Sequence, residues 1–422
     1  MNSDFRKSAR QNAFVGALAV GATAMFAAET GMAAAVVQPD LQVGASYVDN
    51  GGFTGEDDVS SAGAEVRAKL DIGWVNERGS VTLVPMVRAT RYSDDALSER
   101  EEQRLTFNWL RNFQTGASNT QFDFSRQDLF SSELRDITLD PDEVPIDDTT
   151  DTGIVDQDTT RTRFQFRQDF AKGIGLRDEV LFAAQYRDIS YDETGATTRV
   201  DFTDALLGAG WRRALSERTD VVLMAGVERY DGDNGVTVDS VGAELGFDFA
   251  VSETAALFVQ AGYQNSESET ETQDLGSDSQ FIFSIGAEKS TEVTRYAIDL
   301  GRNVRPTGQG GVTTETGLSL FMDRQLSERL RFGAGVAAFQ QERSASLSPG
   351  NDRDYVTGKL QLSWQLSRQW SVEAQVRHVQ QDFESSSGDL SEDRNRASLT
   401  LRWRGLNEVR VPRGRRFLRT GY

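Results

Sequence analysis

The sequence predicts an all-β chain, a transmembrane antiparallel up-and-down β-barrel of about 18 strands, with 16 as the alternative count. Three observations predict it. One hairpin sentence recurs: WRRALSERTDVVLMAGVERYD, from Trp211 to Asp231, reads as a strand, a tight turn at Leu215-Ser216-Glu217-Arg218, and a returning strand. Copies stand at 247–263 (FDFAVSETAALFVQAGY), 320–339 (LFMDRQLSERLRFGAGVAAF) and 362–376 (LSWQLSRQWSVEAQV), with weaker ones at Trp74 and Phe170. Within the unit, Val221, Leu223, Ala225 and Val227 alternate with Val222, Met224, Gly226 and Glu228. A period of two gives a strand with one greasy face and one mixed face. The third observation is a sorting of aromatic residues. Trp74, Trp109, Trp211, Trp364, Trp370 and Trp403 fall near short turns or at the end of the last strand. Tyr47, Tyr92, Tyr186, Tyr191, Tyr230, Tyr263 and Tyr355 fall near long loops. Aromatic residues at both strand ends read as the two girdles of a membrane band. Short turns are then periplasmic and long loops extracellular.

Composition agrees with a barrel better than with soluble domains. A chain of 422 residues has room for two or three such domains. Yet it is 38% hydrophobic with a mean hydropathy of -0.47, too polar to fill several cores. In a barrel only every second strand residue meets lipid, and the lumen and loops stay polar. Glycine (38) far exceeds proline (7), which suits many strands joined by glycine-containing turns. No run approaches the roughly 18 apolar residues of a spanning helix. The net charge of -20 makes the chain a poor partner for nucleic acid. With no cysteine there is neither a disulfide framework nor a lipid-anchored thiol.

Three segments follow in order. Residues 1–35 read as a secretory signal peptide: Arg6, Lys7 and Arg10, an apolar stretch from Ala13 to Ala28, and Ala33-Ala34-Ala35 before Val36. Residues 36–404 form the barrel, and 405–422 a basic tail carrying Arg410, Arg413, Arg415, Arg416 and Arg419. That tail is expected on the periplasmic side, open to a polyanion or a partner, or else as part of a closing strand ending at Tyr422. Trp403 is the preferred counterpart of a terminal aromatic.

Within the barrel, Leu41 to Asp49 is the first strand, ended by the reversal signal Asn50-Gly51. From 64 to 74, Val66, Ala68, Leu70, Ile72 and Trp74 share one face, and Glu65, Arg67, Lys69 and Asp71 the other. Strands follow at 81–92, through Leu105, Phe107 and Trp109, and back through Phe122 and Phe124. Leu97-Ser98-Glu99-Arg100 repeats the turn tetrapeptide but falls on the outer side, as a chance copy or a slip of register. The acidic stretch from Leu129 to Thr160 is the third outward loop, long enough to be functional or disordered. Thirteen further alternating runs span 161–404, with a second Asn-Gly at Asn234-Gly235. The pairs at 103–128 and 279–302 lack the repeat turn, which keeps sixteen strands open.

Parity then assigns the lumen. Arg67, Lys69, Asp71, Arg163, Arg167, Asp204, Arg212, Glu244, Asp248, Lys359, Glu373, Arg377, Arg402 and Arg404 are expected to line it, with Glu228 pointing inward and Tyr230 at the outer rim. Both signs are present, either as a transverse field that orders polar solutes or as ion pairs that merely solvate the wall. Catalysis finds little support. His378, the one histidine, shares parity with Trp370, Val372, Ala374 and Val376 and so faces lipid, where no triad can serve a lumen substrate. Without cysteine or a second histidine, thiol and zinc chemistry are not expected. No spacing singles out a carboxylate pair for glycoside cleavage. The expectation is no enzyme, no cofactor and no metal.

The leader, the LSER-turn hairpins and the acidic outer loops together resemble the beta-barrel porins found with exopolysaccharide systems, over most of residues 40–404. The resemblance implies a passive channel in the bacterial outer membrane for polar solutes or a surface polysaccharide. Alginate-type exporters are similar, but their lumen is strongly basic, and the mixed signs here depart from that. Likeness to general porins implies that the third outward loop folds inward. Its Asp140, Asp142, Glu143, Asp147, Asp148 and Asp151 would then form an acidic constriction favouring cations. The same loop could instead bind divalent cations at the surface, although EF-hand spacing is absent, or simply be solvated. The alternative function is a non-conducting surface barrel whose acidic loops bind cations, polysaccharide or another cell. Expected partners are outer-membrane lipid and lipopolysaccharide, the barrel assembly machinery and a surface polysaccharide, with no nucleic acid.

Overall fold

Each alternating run continues until a polar turn reverses it, and eighteen such runs close on themselves. The structure, a computed structural model, describes residues 34–49, 60–94, 97, 99–129, 159–192, 199–270, 272–343, 352–385 and 388–405. The first six strands are β1 (Ala34–Asp49), β2 (Ser61–Asn76), β3 (Gly79–Tyr92), β4 (Arg100–Phe113), β5 (Gly116–Asp128) and β6 (Thr160–Gly173). Then come β7 (Asp178–Asp192), β8 (Phe202–Ser216), β9 (Thr219–Gly232), β10 (Val236–Ser252), β11 (Ala255–Thr270) and β12 (Asp274–Ser290). The last six are β13 (Thr294–Thr307), β14 (Gly311–Gln325), β15 (Leu330–Arg343), β16 (Arg353–Gln365), β17 (Trp370–Ser385) and β18 (Gly388–Arg404). Every strand pairs antiparallel with its sequence neighbours, and β1 pairs with β18 from Asp40↔Arg404 to Asp49↔Asn395. The count is eighteen, not sixteen: the uncertain segments form β4–β5 and β12–β13.

The recurrent serine explains the recurrent turn. Ser216 Oγ accepts from Arg218 N at 3.2 Å, and Ser327 Oγ from Leu330 N at 3.2 Å. Ser367 Oγ accepts from Trp370 N at 3.2 Å. A hydroxyl that bonds the backbone two or three residues on holds a tight reversal.

Strand pleat fixes which residues meet lipid. Val43, Val66, Val87, Phe182, Leu207, Leu223, Val241 and Leu245 stand exposed on the outer surface. Their neighbours Ser46, Arg163, Asp204 and Glu244 are buried on the opposite face. An outward apolar belt around a polar interior is the arrangement a bilayer demands of a closed sheet. Strands of 13 to 17 residues exceed the roughly 9–11 needed to cross, so each overshoots the hydrocarbon. All six tryptophans share the outward parity, as their register with Leu41, Val81, Leu223 and Val372 and the pair Trp370↔Trp403 show.

The tyrosine girdle is corrected. Tyr47, Tyr186 and Tyr263 do face outward. Tyr191, Tyr230 and Tyr355, however, are buried inside the barrel at 3%, 1% and 1% exposure, and Tyr92 shares their parity. These rings fill the long-loop end of the lumen. Leu97 is also buried, Arg100 opens β4, and the β3–β4 register runs unbroken to Thr90↔Arg100, which leaves the stray tetrapeptide a chance copy. β1 begins two residues before the expected mature start, pairing Ala34 with Val75. Residues 1–33 of the expected leader, the third outward loop from 130 to 158 and the tail beyond Gly405 lie outside the described residues.

Candidate functional site

All fourteen lumen candidates lie on the inward parity. Arg67, Lys69 and Asp71 face Gln42, Asp40 and Gln38 across β1–β2. Arg163 and Arg167 sit on β6, Asp204 and Arg212 on β8, and Glu244 and Asp248 on β10. Lys359 is on β16, Glu373 and Arg377 on β17, and Arg402 and Arg404 on β18. The acidic six, Asp140, Asp142, Glu143, Asp147, Asp148 and Asp151, fall outside the described residues.

The structure adds a segregation of sign. On β16–β18 and β2–β6, inward charges are mostly cationic, now including Arg88, Arg100, Arg104, Arg161, Arg353, Arg394 and Arg396. On β7–β14, carboxylates dominate: Asp220, Glu228, Glu288, Asp299, Glu315 and Asp323 join Asp204, Glu244 and Asp248. Lys359, Arg377 and Arg396 are direct cross-strand neighbours, as are Arg67 and Arg88. On the other wall Asp220 faces Asp248. Like charges directly opposite destabilise a sheet, so stability alone does not produce such rows.

Part of the wall does pair. Arg88 meets Glu102 at 3.0 Å, Arg396 meets Glu65 at 3.0 Å, and Lys69 meets Asp71 at 3.5 Å. Arg402 Nε donates to Asp40 at 3.0 Å, with Arg404 3.5 Å from the same carboxylate. Arg377 donates to hydroxyls, reaching Thr357 Oγ1 at 3.3 Å and Tyr355 Oη at 3.2 Å. One enclosed cluster is Arg187, 2.8 Å from Asp204 and 3.8 Å from Glu228. Asp204 is fully buried. Arg187→Met strands both carboxylates and should cost roughly 3–5 kcal/mol in urea unfolding, while replacing all three by apolar residues should recover most of it. A single-variant loss below about 1 kcal/mol would show that water reaches the cluster.

The lumen also contains a feature that alternation could not reveal. The tip of the β13–β14 hairpin, the seventh outward connection, bends inward and reaches β7–β9 across the mouth. Val200 N donates to Gly308 O at 2.9 Å, and Tyr230 Oη donates to Thr307 O at 3.4 Å. Val304 and Val312 pack among Ile189, Tyr191, Phe202, Tyr230, Val236, Val238 and Ile282, an apolar cluster inside a polar lumen. Gly308 is required there, since a Cβ would lie 2.3 Å from Tyr191 Oη. Only the density of Pro306, Gly308, Gly310 and Gly311 hinted at an unusual tip. The hairpin thus lies over the carboxylate-rich side of the lumen. Toward the short-turn end the inner wall carries recesses. One of about 360 Å³ is lined by Arg212, Asp220, Asp248 and Phe258. Another, of about 330 Å³, is lined by Asp323, Arg331, Glu373, Arg402 and Arg404.

His378 is exposed beside outward-facing Val376, its Nδ1 2.8 Å from Asn395 Oδ1. Among the described residues, no three histidine or acidic side chains converge as metal ligands. No family model and no curated protein matches the chain. Solved barrels resemble it at a distance. OpdK of Pseudomonas aeruginosa, solved with vanillate, is 11% identical over 87% of this chain and 98% of its own, with a TM-score of 0.46. OccK2 (OpdF) of the same organism, in complex with glucuronate, is 10% identical over 88% and 98%, at 0.45. The ferric-catecholate import receptor Fiu of E. coli is 9% identical over 87% and 81%, at 0.42. At that distance the likeness extends no further than the shape of the barrel.

Proposed function

We propose that this barrel is a passive outer-membrane channel for polar solutes, with a preference for anionic ones. One observation carries the reading: the in-register cation row Lys359–Arg377–Arg396 faces a carboxylate-rich wall across the lumen. A transverse field of that kind orients a polar solute and lets it trade hydration for wall contacts without deep binding. At eighteen strands an interior beyond side-chain filling is expected. Anionic solutes include a carboxylated surface polysaccharide, which agrees with the resemblance to exopolysaccharide-associated porins. Insertion from the periplasm by the barrel assembly machinery, with lipopolysaccharide outside, belongs to the same reading.

The test is electrical. Purified barrels in planar bilayers should give stepwise conductance, and under a potassium chloride gradient the reversal potential should lie toward chloride. Folded, inserted barrels that stay silent would favour the surface-adhesion reading. Deleting 133–158 would then abolish attachment to cells or polysaccharide.

A further inference from the structure

We propose that the β13–β14 hairpin is a hinged lid with two seats, the inner wall of β7–β10 and the outer half of β12. The inner seat is the one described above. The second follows from the ladder. β12 and β13 pair only from Ser290↔Arg295 up to Phe283↔Arg302, whereas β13 and β14 stay paired to Thr307↔Gly311. Above Arg302, β13 has therefore left β12, while β14 stays laddered to β15 as far as Thr313↔Arg343, so the hairpin has one free edge and swings on the other. The same register, continued, sets Asn303 against Ile282, Val304 against Phe281, Arg305 against Gln280 and Pro306 against Ser279. That half-ladder is available to the hairpin when it swings outward.

The bend has a hinge. Gly301 and Gly317 are direct partners across β13–β14, immediately below the point where the ladder with β12 ends. Both lie on the inward face, so the concave side of the bend carries no side chain. Arg302 still touches β12, donating to Gln280 Oε1 at 3.2 Å, and also reaches Glu342 at 3.4 Å. The two seats exchange different interactions. Inside, the tip buries Val304 and Val312 and takes donors from Val200 and Tyr230. Outside, it gains backbone hydrogen bonds to β12 and surrenders the apolar cluster. Two packings of one element that differ modestly in free energy make a switch. The lid rests on the channel reading for its consequence, since its outward seat widens the mouth.

The chain has no native cysteine, so engineered pairs report cleanly. Val200→Cys with Gln309→Cys bridges the inner seat, where the two backbones meet. Gln280→Cys with Arg305→Cys bridges the outer seat. In oxidised membranes both pairs should cross-link, seen as altered gel mobility of the heat-unfolded chain. Tyr230→Phe, which removes the bond to Thr307, should raise the yield of the outer pair at least twofold. In bilayers the inner cross-link should lower single-channel conductance severalfold relative to the outer one, with reduction abolishing the difference. An outer pair that never cross-links while the inner one is quantitative would overturn the lid, as would equal conductance of the two locked forms. Silence of every form would instead remove the channel reading, and the cross-link yields would still decide the lid.

Discussion

Leu399→Arg should cost the barrel roughly 2–4 kcal/mol of folding stability in a bilayer, while Ser398→Arg, one residue earlier, should cost less than about 1 kcal/mol. Leu399 is 57% exposed on the outer face of β18, between Ala45 and Ala374. A guanidinium there enters hydrocarbon or drags water into it. Ser398 points the other way, toward Ser46 and Gln375, where an added cation stays in the polar lumen beside Glu373 as well as Arg377. Urea unfolding in lipid vesicles, followed by the mobility shift of the heat-resistant folded form, gives both values. Equal costs at the two positions would mean that the pleat does not sort lipid from lumen, and the transmembrane assignment would fall with it.

The double variant Lys359→Glu/Arg377→Glu should shift the anion-to-cation permeability ratio by on the order of tenfold toward cations at low salt. The two residues form one row with Arg396, so reversal turns the centre of the cationic arc acidic. The shift should shrink as ionic strength rises, because the Debye length falls to about 10 Å at 0.1 M and 3 Å at 1 M. Reversal potentials in salt gradients at several mean concentrations measure it. An unchanged potential at low salt would mean that these charges line no ion path, and the proposed anion preference would fail.

The fold was legible because a barrel writes itself twice, once in the period-two pattern and once in the turn. Val221 to Val227 showed which face meets lipid, and Ser216 marked the reversal because its hydroxyl closes it. Parity likewise carried the lumen residues, since inward placement depends only on local alternation. What alternation cannot carry is tertiary bending. Val304 and Val312 keep the parity of lipid-facing residues along their strands, yet the bend at Gly301–Gly317 turns that face onto the inner wall. Tyr191 and Tyr230 read as girdle residues for a different reason: position along a strand says how high a ring sits, and alternation says where it points, with Tyr230 on the inward parity of Glu228 and Tyr191 on that of Arg187. Segregation of charge was out of reach for another cause. Which wall opposes which depends on strand count and closure, and a single register pair such as Arg377↔Arg396 is invisible until both neighbours are known.

The closing seam has a consequence for how this molecule comes into being. Every other ladder joins strands adjacent in sequence, but Asn395 Nδ2 reaches Asp49 Oδ2 at 3.1 Å across 346 residues. Hairpins are local and form early, whereas the β1–β18 junction must await the last strand and carry the entropy of the largest loop. Until then the nascent sheet has two raw edges, each able to recruit a foreign strand. Removing β18 would therefore leave an open, self-associating ribbon and not a seventeen-stranded barrel. β18 acts as the latch on the whole assembly.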